Sequence, residues 1–415
     1  MPKHLHTGVF TPDFQVTHHV HRHISHRGVY VNKALVQHYI EKLSREAELY
    51  TKKCMLDSFN YVSNTRSSKQ VREYFFTNYS EEALEPYFMV YDYKIRDYRW
   101  TFGADNLMEF YNAYNDEVCM DIIKANQANY YRTNLIGVLS NTTSESYVHP
   151  DVKLLVTNRY SFSNPNLHSM TSKEIGGIFH VPNFTLVSFD LKQPEPKLTA
   201  YAAGLHNLLE LANEFGDFYK AVGVNILGMD TISSHQRQVI KTCWNAANYG
   251  AGRDKICKIA KTDIDGEFFY NEHRNITAKA MNRLANGGIV STLFGTPLNV
   301  EHAKPHQKIA HAIQGTVSDI LAYMCETILR MADDMGLNGY KTMMAGDYDS
   351  VDDIFSIYYT MHDAPYIIFS NTFFAPELRD DCIRKLEDAF SLIIDNTVNI
   401  GATAEIISDG NVFMG

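Results

Sequence analysis

The stretch Phe184-Thr-Leu-Val-Ser-Phe-Asp190-Leu-Lys-Gln193-Pro-Glu195-Pro-Lys197 carries two signals in succession. Its first half is a β-branched and aromatic run, which reads as a strand. Its second half, with two prolines, cannot continue that strand. The strand therefore ends on Asp190, and a carboxylate at a strand's end can reach a metal ion above the sheet edge. Upstream, Val152–Val156 (VKLLV) and Gly176–Pro182 (GGIFHVP) are further short runs set off by Asn, Ser, Pro and Gly, and they also read as strands.

Downstream, YKTMMAG (340–346), DYDSVDD (347–353) and IFSIYYT (354–360) read as a hairpin, two strands flanking an acidic turn. Its carboxylates, Asp347 and Asp349 foremost, are candidates to join Asp190 around two Mg²⁺ ions, which in such sites lie ~3.5–4 Å apart. Hard oxygen ligands suit that ion. From spacing alone, solvated turn carboxylates are the competing reading.

Helical patterns fill the rest. KALVQHYIEKLSREAELYTKK (33–53) and residues 106–135 have apolar residues at spacings of three and four, as in long amphipathic helices of an arm-like subdomain. Between them, Arg66, Lys69 and Arg72 are placed either to meet phosphates or to form a solvated face. In a helix starting near Ser233, Arg237, Lys241, Asn245 and Tyr249 recur every fourth residue, and Gly250 and Gly252 relax its end. Cations there suit a triphosphate, and a ring beside bare backbone suits a base. A solvated basic face is the alternative. Strands, helices and the hairpin in this order indicate an α+β architecture with an antiparallel sheet.

Composition bounds the function. Of 415 residues, 45% are apolar and 21% charged, ordinary for a folded chain that exceeds one core. No apolar run reaches the ~18 residues of a membrane helix, and the N-terminus lacks a signal-peptide pattern. The six cysteines form no C-x-x-C pair, which suits free thiols in a reducing cytoplasm. A net charge of −10 is unusual for a nucleic-acid binder but compatible with a basic cleft in an acidic exterior. Residues 1–32 are histidine-rich (His4, His6, His18, His19, His21, His23, His26), which is either a metal site or a solvated segment.

The order of motifs resembles that of family A (bacterial polymerase I-like) DNA polymerases. Asp190-x-x-Gln193-x-Glu195-x-Lys197 is similar to that family's D-x-x-Q-x-E-x-R. Arg237-x3-Lys241-x7-Tyr249-Gly250 resembles its fingers helix, and Gln314-Gly-Thr-x-x-Asp319 its Q-G-T-x-x-D. Arg159 to Leu167 is similar to R-L-S-S-x-x-P-N-L, Gly288–Gly295 (GIVSTLFG) to its G-Y-V-x-T-L-x-G turn, and RGVYVN (27–32) to the segment that opens the polymerase region.

The resemblance implies a right-hand fold: thumb 33–140, palm 141–205 and 321–415, fingers 206–320. It implies a DNA-directed DNA polymerase that adds dNMP to a primer 3′-hydroxyl, with two Mg²⁺ on Asp190 and a hairpin carboxylate. The family's hairpin motif is H-D-E or H-D-S. Aligning Tyr348-Asp349-Ser350 makes Asp349 the ligand, the favoured alignment; aligning Gly346-Asp347-Tyr348 makes it Asp347, and Asp352 and Asp353 are more remote. Lys241 would contact the triphosphate and protonate the leaving pyrophosphate, and Arg237 would hold the γ-phosphate. Tyr249 would stack near the templating base, and Glu195 would exclude a 2′-hydroxyl. Gln193, Asn245 and Tyr219 complete the dNTP contacts. Arg159, Asn166, Gln314 and Lys197 would meet primer–template DNA. Lys197 replaces Arg, Asn245 replaces Phe or Tyr, Tyr219 replaces His, and Thr296-Pro-Leu298 replaces an arginine cluster, so phosphate contacts look thin. The resemblance therefore implies weak unaided DNA binding and a separate processivity or single-strand-binding partner. It also implies no proofreading exonuclease in the chain, with editing left to another protein, and a phage-type source. A single-subunit RNA polymerase and a catalytically silent replisome scaffold are the rival readings.

Overall fold

A computed structural model describes residues 3–7, 10–92, 95–169, 177–286, 288–361 and 363–408. The end of the expected second palm segment, 409–415, lies outside them. The chain forms two compact units, Met1–Val29 with His149–Ser163 and His180–Gly415, and Tyr30–Val148 with Asn164–Phe179. No described helix is long and apolar enough to cross a membrane.

The first unit is built on a four-stranded antiparallel sheet in the order Phe355–Met361, Ala364–Ser370, Phe184–Leu191, Ala402–Ser408. Phe184–Leu191 is buried from Thr185 to Phe189. That is why its sequence is mainly apolar, with only the small polar Thr185 and Ser188 among its buried residues: a central strand covered on both faces has little solvent side to mark with polar residues. Phe189 packs edge-on against Phe390 of the helix Pro376–Phe390, with ring centroids 5.2 Å apart. The 30-residue helix Pro305–Asp334 lies against the sheet. Asp319 of that helix accepts the Thr292 hydroxyl at 2.6 Å, and the Thr316 hydroxyl accepts the Leu293 N–H at 3.0 Å. Two stretches distant in sequence, Q-G-T-x-x-D and the T-L-x-G turn, are thus one packing unit.

Two expectations need correction here. The first is the hairpin. Residues 340–360 do not form one: Tyr340–Met344 is a short helix ended by Gly346 at φ 74°, and Tyr348–Ser350 is a 3₁₀ turn. The hairpin comes next, pairing Phe355–Met361 with Ala364–Ser370. Both of its strands are aromatic and β-branched runs, whereas Tyr340–Met344 offers only five residues with no β-branched apolar side chain. The run from Gly176 also departs from a strand: Gly177–Phe179 is a 3₁₀ turn, and Gly176 lies outside the described residues.

The second correction concerns the histidines. They do not form one solvated segment: His4, His6 and His26 are exposed, His18 and His19 are half-buried, and His21 and His23 are enclosed. Phe14–Arg27 is a helix whose Val16, Val20 and Ile24 are fully buried, and His21 and His23 are 1% exposed. His21 stacks on Tyr160 at 4.1 Å, with Nδ1 on the Thr17 carbonyl (2.6 Å) and Nε2 on the Thr360 hydroxyl (2.8 Å). Among the described residues the histidines join no set of three or more metal-ligating side chains. An apolar stripe at every fourth residue made this a core helix.

The second unit holds the helices Lys33–Asp57 and Glu117–Ser140, packed along each other, with residues 58–116 between them.

Candidate active site

Sheet register decides which carboxylates meet. Ser188 pairs with Tyr366 and Thr185 with Phe369, while Phe369 pairs with Phe355. The end of the strand at Asp190 is therefore beside the start of the next strand, Ala364. The segment 347–353 precedes the other end of Phe355–Met361, a strand length of ~20 Å away. Asp349 is 87% exposed and bonds His26 Nε2 at 2.7 Å. Asp353 pairs with Arg27 (3.0 Å), Asp352 accepts the Asn338 N–H (2.7 Å), and Asp347 is exposed beside the same turn. None of them is brought to Asp190. The carboxylate that arrives there is Asp363, in the hairpin turn, and Asp190 is close enough to raise its pKa. The sequence did hold a signal for it. His362-Asp363 is an H-D pair between two seven-residue apolar strands, and it matches the first two residues of the family's hairpin motif, with Ala364 at the third. His362 itself lies outside the described residues.

Around Asp363 the polar groups form a chain. Arg159 Nη2 donates to Asp363 Oδ2 at 2.7 Å and to Glu195 Oε1 at 2.9 Å. The Tyr249 hydroxyl reaches Glu195 Oε2 at 3.5 Å, and Gln314 Nε2 donates to that hydroxyl at 2.9 Å. Each member comes from a different element. Glu195 stands in the first turn of Pro194–Ala202, whose opening proline suits a helix start. Tyr249 caps the helix Ser234–Asn248, which opens with a capping box between Ser233 and Gln236. Gly250 follows at φ +84°; a Cβ there would stand 2.4 Å from the His306 ring, so bare backbone is required. Glu195, Tyr249 and Gln314 line a small cleft with Ile309 and Ile313.

Burial governs the electrostatics. It pushes Asp363 up to about 6 against the pull of Arg159, with Glu195 and Asp190 adding to the rise. Asp190 is also raised, by burial and by Glu405. Glu405 lies on the neighbouring strand opposite Ser188, on the same sheet face as Asp190, and sequence reading missed it because a strand's partner is not local information. Asp363 Oδ1 is buried and has no hydrogen-bond partner among the described residues, and Arg159 Nε is in the same position. An orphaned carboxylate oxygen beside a second carboxylate fits a hard cation.

The remaining candidates divide. Arg237 Nε bonds Asp217 Oδ2 at 2.6 Å, and its guanidinium lies 5.5 Å from the Tyr219 ring. The Tyr219 hydroxyl donates to Asn245 Oδ1 at 3.4 Å. Lys241, a turn beyond Arg237, makes no ion pair among the described residues. Gln193 accepts the Phe218 N–H at 2.9 Å, so its side chain anchors the start of the helix Phe218–Asn225. Lys197 corrects an expectation. It is 6% exposed and its ammonium donates to the Asn399 carbonyl at 2.7 Å, so it is not available to DNA. Burial lowers its pKa to about 8. Asn166 belongs to the second unit, where it accepts the His168 N–H at 3.0 Å.

A sheet whose adjoining strands bring two aspartates together at one end, flanked by a long helix on the Gln314 side and a cationic helix on the Arg237 side, defines the right-hand polymerase class. The sequence pattern of DNA polymerase family A matches residues 33–346, and the chain belongs to that family. It is 25% identical over 193 residues to DNA polymerase I of Deinococcus radiodurans, covering 40% of this chain and 20% of that protein. It is 23% identical over 273 residues to DNA polymerase I of Chloroflexus aurantiacus, covering 59% of this chain and 29% of that one. The chain thus spans less than a third of the length of these relatives. Among solved structures, the POL domain of Pol1 from M. smegmatis in complex with DNA primer-template and dNTP superposes with a TM-score of 0.73 at 16% identity, over 94% of this chain and 68% of that one.

Proposed function

We propose that the chain is a template-directed DNA polymerase that adds dNMP to a primer 3′-hydroxyl and releases pyrophosphate. The observation that carries this reading is the junction in which Arg159 ties Asp363 to Glu195 beside Asp190. Asp190 and Asp363 would hold two divalent ions, Mg²⁺ by the hardness of their oxygens. Such ions, when bound, lower the pKa of the attacking hydroxyl and steady charge on the leaving group.

The chain's own residues do the rest. Arg237 exchanges its Asp217 partner for the γ-phosphate, and Lys241, one turn on, meets the triphosphate and protonates the leaving pyrophosphate. Glu195, held from one side by Arg159 and from the other by the Tyr249 hydroxyl, is fixed under the sugar and excludes a 2′-hydroxyl. Tyr249, 59% exposed, stacks beside the templating base. Arg159 and Gln314 turn to the primer–template, and Asn166 is a further candidate for contact with it. Thin phosphate contacts imply a processivity or single-strand-binding partner. Six free thiols fit work in a reducing cytoplasm, such as that of a phage-infected cell.

Primer extension with Mg²⁺, comparing dNTPs with rNTPs and with the Asp190→Ala protein, tests the reading. Template-dependent extension with dNTPs alone, absent in the variant, is expected. Extension with rNTPs would move the chain to RNA synthesis, and DNA binding without extension would make it a silent scaffold.

A further inference from the structure

The family's sequence pattern begins to match at residue 33, downstream of the histidine-rich helix Phe14–Arg27. That helix nevertheless lies against both segments that supply the Arg159–Asp363 pair. It packs on the strand Asp151–Leu154, whose hairpin partner Tyr160–Ser163 follows Arg159, and on Phe355–Met361, which leads to Asp363. All of these belong to the first unit.

His21 is the residue that joins them. Its ring stacks on Tyr160, the neighbour of Arg159, at 4.1 Å and an interplanar angle of 16°. Its Nδ1 meets the Thr17 carbonyl at 2.6 Å, and since a carbonyl only accepts, Nδ1 carries the proton. In the neutral ring Nε2 then accepts the Thr360 hydroxyl, 2.8 Å away. Thr360 lies three residues before Asp363 in the chain. One enclosed ring thus touches the neighbour of the guanidinium on one face and the strand that delivers the carboxylate at its edge.

The other side of Arg159 is held too. Asn158, at φ 56°, accepts the Ser318 hydroxyl on its carbonyl at 2.8 Å. The Leu155 N–H donates to the Arg159 carbonyl, also at 2.8 Å. With its backbone fixed in this way, Arg159 meets Asp363 only if the strand Phe355–Met361 stands at the right distance, and His21 spans that distance. Burying the helix does not call for a histidine here. Val16, Val20 and Ile24 are fully buried without one, and an apolar side chain would fill the space with no polar atoms to satisfy. We infer that His21 is a positioning residue, one that sets Arg159 against Asp363 and makes the N-terminal helix part of the site. The inference rests on the polymerase reading above.

Single-turnover dNTP addition by the full chain tests it. His21→Phe keeps a ring over Tyr160 and removes both nitrogens, and Thr360→Val cuts the same bond from its other end. Each should slow addition about tenfold or more, as misplacement by a fraction of an ångström does, while the dNTP concentration giving half the maximal rate changes less than twofold. Thr360→Ser, which keeps the hydroxyl, should stay within about twofold of the native rate. In an Arg159→Ala background, His21→Phe should slow addition no further, because the group it positions is gone. Mn²⁺ binding to the free protein, read by EPR, should weaken severalfold in His21→Phe as Asp363 is displaced. Val20→Ala, a buried change on the same helix, should lower Tm and leave both rate and Mn²⁺ affinity unchanged. Native rate and Mn²⁺ affinity in His21→Phe and Thr360→Val, an equal loss of rate in Val20→Ala, or a full further loss in the Arg159→Ala background would overturn the inference and leave the polymerase reading standing. A native chain that extends no primer would overturn both.

Discussion

At the scale of single residues, the site turns on Arg159 Nη2, shared between Asp363 at 2.7 Å and Glu195 at 2.9 Å. A guanidinium does this better than an ammonium because its donors are fixed in a plane. The same bond orients Glu195, so removing that carboxylate should open the sugar pocket. Glu195→Ala is expected to reduce discrimination against rNTPs by about tenfold or more, a steric contribution of the usual size, read as the ratio of kcat/KM for dCTP and CTP. Unchanged discrimination would detach Glu195 from sugar selection. Lys197 makes the opposite prediction. Lys197→Met should leave primer–template Kd within about twofold, because the ammonium is spent on the Asn399 carbonyl. Its effect should appear as a shift in Tm, since the carbonyl loses a charge-assisted donor. A large loss of DNA affinity with unchanged Tm would restore the residue to the DNA surface. Arg159, Glu195, Tyr249 and Gln314 could all be picked out from local motifs, and the structure brings them together. Asp363 was hidden by a richer acidic cluster, Asp347 to Asp353, ten to sixteen residues upstream. Local charge density misled where sheet register decided.

At the scale of elements, the helix Ser234–Asn248 is held from below by a buried histidine. His273 Nε2 bonds Asn248 Oδ1 at 2.9 Å, and its ring lies 5.0 Å from Trp244. Burial lowers its pKa to about 4 from 6.5. The unfolded chain therefore takes up a proton that the fold refuses, and stability falls as pH drops from 6.5 towards 4. The full effect is about 3 kcal/mol. Asp319, raised to about 7 by burial, acts in the opposite direction over much of that window, since the fold holds its proton. The difference between the native chain and His273→Gln isolates the histidine. Urea unfolding of the pair at pH 7 and pH 5 should show the native chain losing more stability on acidification than the variant. Equal losses would contradict the assigned burial. Element type was legible where patterns were long, as in Lys33–Asp57 and Glu117–Ser140. It was not legible in Phe14–Arg27, where five histidines masked the stripe of Val16, Val20 and Ile24. Nor was it legible in Tyr340–Met344, too short for periodicity to choose between helix and strand.

At the scale of the whole molecule, a family A chain with a net charge of −10 must bind a polyanion through a local surface. Its affinity for primer–template should be weaker than low nanomolar at physiological salt and should rise by more than tenfold at 50 mM, as counterion release requires. Fluorescence anisotropy at two salt concentrations measures both, and tight, salt-insensitive binding would show that the phosphate contacts are not thin. The motif order pointed to the α+β class, but it could not set the position of the sheet's second carboxylate. That depended on pairing across 178 residues, from Ser188 to Tyr366. The central claim is that Asp190 and Asp363 form the catalytic pair. Its most direct test is the single-turnover rate of dNTP addition by Asp363→Asn and Asp349→Asn side by side. The account predicts a loss of about a thousandfold, ~4 kcal/mol, for Asp363→Asn and a rate within about twofold of native for Asp349→Asn. Near-native extension by Asp363→Asn, or collapse of Asp349→Asn with its fold intact, would contradict it.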